Sequence, residues 1–153
     1  MHSNQTKTVD RMAQFREALR THSLKATAQR LAVHEAMIEL GHASADSVAE
    51  WIKDSGRCKV SVATVYNILS QMALLGVYHH RMSANNKMYF DVNTHRHIHL
   101  YDIQNNEYLD IVDKELTDYI DNHIKSRKFK GFKVDSVDIQ IIGRPNRRAA
   151  RQQ

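Results

Sequence analysis

The sequence predicts an α+β fold in two parts, on three observations. Residues 1–90 space their apolar side chains at helical intervals in four successive segments, then switch to alternation. Residues 91–143 open and close with alternating segments around a single helical one. From Arg144 onward the chain is a polar, basic tail. The expected organisation is therefore a helical front domain over 1–90, a small α/β domain over 91–143 and a tail over 144–153.

The first helix is predicted over Val9 to His22, where Val9, Met12, Phe15, Ala18 and Leu19 recur at helical spacing. Thr27 caps a second helix, Ala28 to Leu40, and Gly41 stops it. Ser44 caps a third, with Val48, Ala49 and Ile52 on one face, ending near Ser55-Gly56. Ser61 caps a fourth, Val62 to Leu75, terminated by Gly76. Gly76–Met82 and Lys87–Val92 then alternate, and Ser83-Ala84-Asn85-Asn86 between them has turn chemistry. Short helices followed by a hairpin form a winged helix-turn-helix, whose last helix before the hairpin enters the DNA major groove. The apolar stripe Val62, Val65, Leu69, Met72 and Ala73 leaves Ser61, Thr64, Tyr66, Asn67 and Ser70 outward. Such side chains can bond phosphates and base edges.

Charge is distributed to match. Residues 1–90 hold 11 Lys/Arg against 7 Asp/Glu, residues 91–143 hold 7 against 10, and the last ten hold four arginines and no acid. A basic front suits a polyanion; an acidic, histidine-bearing middle suits a cation. No apolar run approaches the roughly 18 residues of a membrane span. The polar N-terminus has no signal-peptide core, so the expected location is the cytoplasm, with no membrane partner. Cys58 is the single cysteine, which excludes an intrachain disulfide and a four-cysteine zinc site.

The stretch Asp91-Val92-Asn93-Thr94-His95-Arg96-His97-Ile98-His99 carries the chemistry. His95, His97 and His99 alternate, so in a strand they share a face, where two imidazoles can grip one metal ion. If Asn105-Asn106 forms a two-residue hairpin loop, Tyr101 pairs with Asp110, which brings that carboxylate one diagonal step from His99. Val112 to Lys125 reads as a helix, and Phe132 to Ile142 as a strand. This unit is too small to bury its own core securely, and dimerisation through the sheet would fix that.

Taken in order, Leu24–Arg30, His42–Asp46, Ser61–Asn67, Tyr89-Phe90-Asp91 and His97-Ile98-His99 resemble the ferric uptake regulator family over roughly residues 15–143. The resemblance implies a homodimer that binds a two-fold double-stranded DNA operator as a transcriptional repressor. It implies one regulatory metal per subunit, Fe(II) or Mn(II), with zinc possible as purified. The ligands implied are His42, Asp91, His97, His99 and Asp110, His42 being supplied by the resemblance alone. Lys25, Arg30 and Tyr66 resemble the family's DNA contacts. Asp110, where iron-uptake repressors usually have Glu, and Asn67 after Tyr66, where they usually have Arg, resemble the peroxide-responsive branch. In that branch bound Fe(II) reacts with peroxide and oxidises a liganding histidine, here His42 or His97.

Departures are equally specific. The two Cys-x-x-Cys pairs that commonly hold a structural zinc fall on Asp102 and Asn105 and on Pro145 and Arg148. An additional back-domain metal site has lost an acid at Ile98 and a histidine near Ser136. Alternatives are an iron-uptake repressor, a haem-responsive regulator, a metalloenzyme and an architectural DNA-binding protein. A metalloenzyme is disfavoured because no nucleophile–base pair is present. His95 is a spare imidazole, His79 and His80 read as solvated wing residues, Cys58 as incidental, and His34 and His123 as ordinary helix residues.

Overall fold

A computed structural model describes residues 2–93, 96–134 and 137–146, and side chains from residue 8 onward. The chain divides into two compact units, Met1–Thr94 and His95–Gln153. The first contains α1 (His2–Thr21), α2 (Ala28–Leu40), β1 (His42–Ala43), α3 (Ala45–Ser55), α4 (Val62–Leu74), β2 (His79–Met82) and β3 (Met88–Asp91). The second contains β4 (Ile98–Asp102), β5 (Glu107–Ile111), α5 (Lys114–Ser126) and β6 (Gln140–Gly143). This is the α+β class expected, with a winged helix-turn-helix in front of a small α/β unit.

The caps behave as their chemistry requires. Thr27, Ser44 and Ser61 each sit in extended backbone and accept the N–H three residues on, from Arg30, Ser47 and Thr64. Gly41, at φ +70°, returns its N–H to the Met37 carbonyl and turns the chain out of α2. The next residue is already in β1. That two-residue strand was absent from the sequence expectation, because two residues carry no period. α1 begins at His2, seven residues before the Val9 expected, since its first turns are polar and show no stripe.

The front sheet is antiparallel in the order β1-β3-β2. Its wing turn uses Ser83 and Lys87, with Ser83 N–H donating to the Lys87 carbonyl at 2.9 Å. Phe15 and Leu19 of α1, Val33 and Met37 of α2, Val48 and Ile52 of α3, and Val65, Leu69 and Met72 of α4 close on Tyr78 and Phe90. Each fully buried apolar side chain stabilises the fold by about 1.5–3 kcal/mol. Ile68 belongs to this buried face of α4, whereas Val62, expected in the stripe, is 45% exposed at the first turn.

The back sheet has the order β5-β4-β6, with β5 antiparallel and β6 parallel to β4. The hairpin register differs from the expected one by two residues: His99 pairs with Asp110, Tyr101 with Tyr108 and Asp102 with Glu107. The loop is therefore Ile103 to Asn106. Asp102 Oδ1 builds it, accepting the Gln104 N–H at 2.8 Å and the Asn105 N–H at 3.3 Å, while Oδ2 accepts from Asn105 Nδ2 at 2.8 Å. Desolvation alone would raise the Asp102 carboxyl, but these donors outweigh it and hold the group below its ordinary pKa. A slip of two keeps every side chain on its expected face; a slip of one would not.

Among the described residues, the strand expected over 132–142 is confined to 140–143, where the ladder with β4 runs from His99 opposite Gln140 to Asp102 opposite Gly143. Tyr101 and Tyr108 hold the sheet, buried with ring centroids 4.8 Å apart. Ile142 is 57% exposed on the edge strand.

Candidate metal centre and nucleic-acid interface

The front unit presents one His/Asp pair. His42 is fixed between two helix signals, the Gly41 stop behind it and the Ser44 cap ahead. Its strand partner is Asp91 on β3, and His42 Nε2 lies 3.1 Å from Asp91 Oδ2. Asp91 is 1% exposed. A carboxylate so buried needs compensation, and it has two further sources. The Asn93 N–H donates to Oδ1 at 2.7 Å, and the buried Arg81 guanidinium stands 4.0 Å from Oδ2.

The back unit presents a second set. His99 lies on β4 directly opposite Asp110, and His97 immediately precedes the strand. His97 Nε2 is 3.2 Å and His99 Nε2 3.9 Å from the same oxygen, Asp110 Oδ1. The two imidazoles meet edge to face with centroids 4.2 Å apart. Three donor groups thus converge on one point, with both histidines offering Nε2. Imidazole nitrogen with carboxylate oxygen is a donor set that suits Fe(II), Mn(II) or Zn(II). Each unit therefore fits part of a metal's coordination shell by its own geometry. His95 lies outside the described residues, as do Ser136 and Arg148.

Sequence reasoning missed Arg81 and Asp138, the latter 3.4 Å from His99 Nδ1 through Oδ1. Both lie in segments expected to be strands, but the donor each one meets is set by a partner strand distant in sequence. His34 also differs from expectation. It is buried rather than an ordinary helix residue, stacked on Phe15 at 3.9 Å, with Nδ1 2.9 Å from the Tyr78 hydroxyl. Burial pushes its pKa down to about 4, with smaller influences from Arg11. His79, His80 and His123 are exposed, and Cys58 is half-buried.

The nucleic-acid candidates gather around α4. Ser61 Oγ caps the helix and meets Thr64 Oγ1 at 2.9 Å, while Tyr66 and Asn67 are exposed on the next turn. The Tyr66 ring rests edge-on against Phe90 of the wing, at 6.2 Å. Arg30 donates to the Lys25 carbonyl at 2.8 Å and to Gln71 Oε1 at 3.0 Å, so it ties the entry of α2 to α4 instead of pairing with an acid. A crevice of about 330 Å³ has Thr27, Arg30, Thr64, Asn67 and Gln71 among its lining residues. Lys25 is exposed beside it in sequence.

No curated protein sequence matches the chain significantly. Solved structures do. The Vibrio cholerae ferric uptake regulator shares 22% identity at a TM-score of 0.71, over 85% of this chain and 98% of that one. The Pseudomonas aeruginosa ferric uptake regulator with manganese shares 22% at 0.69, over 86% and 97%. The Campylobacter jejuni peroxide stress regulator shares 26% at 0.63, over 86% and 96%. The sequence profile of the ferric uptake regulator family matches residues 21–142, most of the chain. By that match the protein belongs to the ferric uptake regulator family, whose members are metal-dependent transcription regulators and not enzymes.

Proposed function

We propose that this protein is a cytoplasmic, dimeric repressor whose hold on DNA depends on one metal ion per subunit. The observation that carries the reading is the pair of His/Asp sets, His42 with Asp91 in one unit and His97, His99 and Asp110 in the other. One ion ligated by both sets would favour the arrangement of units that presents two recognition helices to a two-fold operator. Fe(II) and Mn(II) are the ions that such a mixed nitrogen and oxygen shell suits best. On the DNA side, Ser61, Thr64, Tyr66 and Asn67 would meet the major groove, with Lys25 and Arg30 on flanking phosphates.

Within the family we favour peroxide sensing. Asp110 and Asn67 support it, as does the 26% identity with a peroxide stress regulator. Bound Fe(II) would supply the one-electron chemistry by which peroxide oxidises an adjacent imidazole. His42 and His97 are the candidates to be oxidised, and the loss of either donor would untie one unit from the other. The test uses duplex DNA selected from a random pool by the Mn(II)-loaded protein. Fe(II)-loaded protein should release that DNA on brief peroxide exposure and gain one oxygen on the peptide holding His42 or His97. His42→Ala should lose metal-dependent DNA binding altogether. Release without any mass gain would favour a sensor of iron level, and metal-independent binding by His42→Ala would overturn the reading.

A further inference from the structure

His99 stands between two carboxylates, one for each ring nitrogen. Nε2 faces Asp110 Oδ1 at 3.9 Å, and Nδ1 faces Asp138 Oδ1 at 3.4 Å. The imidazole is 3% exposed and is fixed edge-on by His97 at 4.2 Å and Tyr108 at 6.2 Å. Asp138 owes its place to the parallel ladder. The His99 N–H donates to the Ile139 carbonyl at 3.1 Å, and Gln140 is the register partner of His99. The residue before Ile139 is thereby carried to the far edge of the ring.

A neutral imidazole has one N–H and one lone pair, and only the nitrogen with the lone pair can ligate a metal. A carboxylate at Nδ1 draws the N–H to that side. The lone pair then falls on Nε2, the nitrogen that shares Asp110 with His97. The same contact fixes the ring plane and raises the basicity of the donor nitrogen.

We infer that Asp138 is a positioning residue for metal binding, holding His99 as the Nδ1–H tautomer with its Nε2 lone pair directed into the His97–Asp110 donor set. This rests on the reading of His97, His99 and Asp110 as ligands. Asp138 itself lies on the opposite side of the ring and is not a ligand.

The test compares the full-length wild-type protein with Asp138→Ala, Asp138→Glu and His97→Ala. Imidazole ¹⁵N spectra of the metal-free protein at fixed alkaline pH report the tautomer, and electron paramagnetic resonance of free Mn(II) reports affinity. With Asp138→Ala, His99 should move from the Nδ1–H to the Nε2–H tautomer. Its Mn(II) dissociation constant should rise about 10–100-fold, without a change in metal-free melting temperature. Asp138→Glu should recover most of the affinity. An Asp138→Ala protein that keeps the Nδ1–H tautomer and binds Mn(II) within twofold of wild type overturns the inference. If His97→Ala loses Mn(II) in that same series, the ligand assignment stands and only the positioning role falls. If His97→Ala also binds normally, the ligand assignment falls and the inference with it.

Discussion

The front unit fully buries Val33, Ala36, Met37, Val48, Ile52, Val65, Leu69 and Met72, drawn from three helices. The back unit, among its described hydrophobic residues, buries only Ile98, Tyr101 and Tyr108. It leaves Val112 73%, Tyr119 68%, Phe132 82% and Ile142 57% exposed. Both units expose apolar side chains, Val9, Leu74 and Met82 in the front among them, but the front closes a core drawn from several helices. Family members bind their operators as dimers, and a unit of this size gains most from a partner that covers such surface. The difference in burial predicts a front unit whose stability needs no partner and a back unit that gains stability from one.

The largest expected effect tests the closed half. Leu69→Ala should cost about 2–5 kcal/mol, the range for emptying a packed core site. Urea unfolding should show the same loss at every protein concentration, and a concentration-dependent loss would break the contrast. His34 gives the next effect. Its folded-state pKa of about 4 lies below its ordinary 6.5 because it is buried neutral against Phe15 and Tyr78. Between those values the unfolded chain takes up a proton that the native state refuses. Stability is therefore fully present above pH 6.5 and declines as pH falls towards 4, by up to roughly 3 kcal/mol. The difference in urea midpoints between wild type and His34→Gln, followed from pH 7 to 4, isolates this contribution. A constant difference would refute it. The smallest effect tests the open half. Tyr119→Ser should leave the far-ultraviolet spectrum intact and weaken dimerisation about tenfold, or about 1.4 kcal/mol, by sedimentation equilibrium. An unchanged dimer would place the partner surface elsewhere on the back unit.

Much of this was legible in the sequence. The helices announced themselves because their signals are local: Thr27, Ser44 and Ser61 cap, and a stripe of apolar residues follows each. The face shared by His99 and Asp110 was legible too, since strand alternation fixes faces even when the loop length is misjudged. What stayed hidden was set by distant partners. The strand holding His42 is two residues long and exists only because β3 lies beside it. The extent of β6 follows its ladder with β4 and not its own alternation. Arg81 and Asp138 reach His/Asp donors through sheet registers that no window of sequence contains. His34 looks like any polar helix residue until α1 and Tyr78 close over it.

At the turn between β4 and β5, Asp102 gathers the N–H groups of Gln104 and Asn105 and the side chain of Asn105. It does so where the family resemblance would place a pair of thiolates. A turn tied by hydrogen bonds holds no ion that a chelator can strip and no sulfur that an oxidant can convert. On the proposed function, a chelator would take the ion from the His/Asp donors and leave the hydrogen bonds of this turn in place.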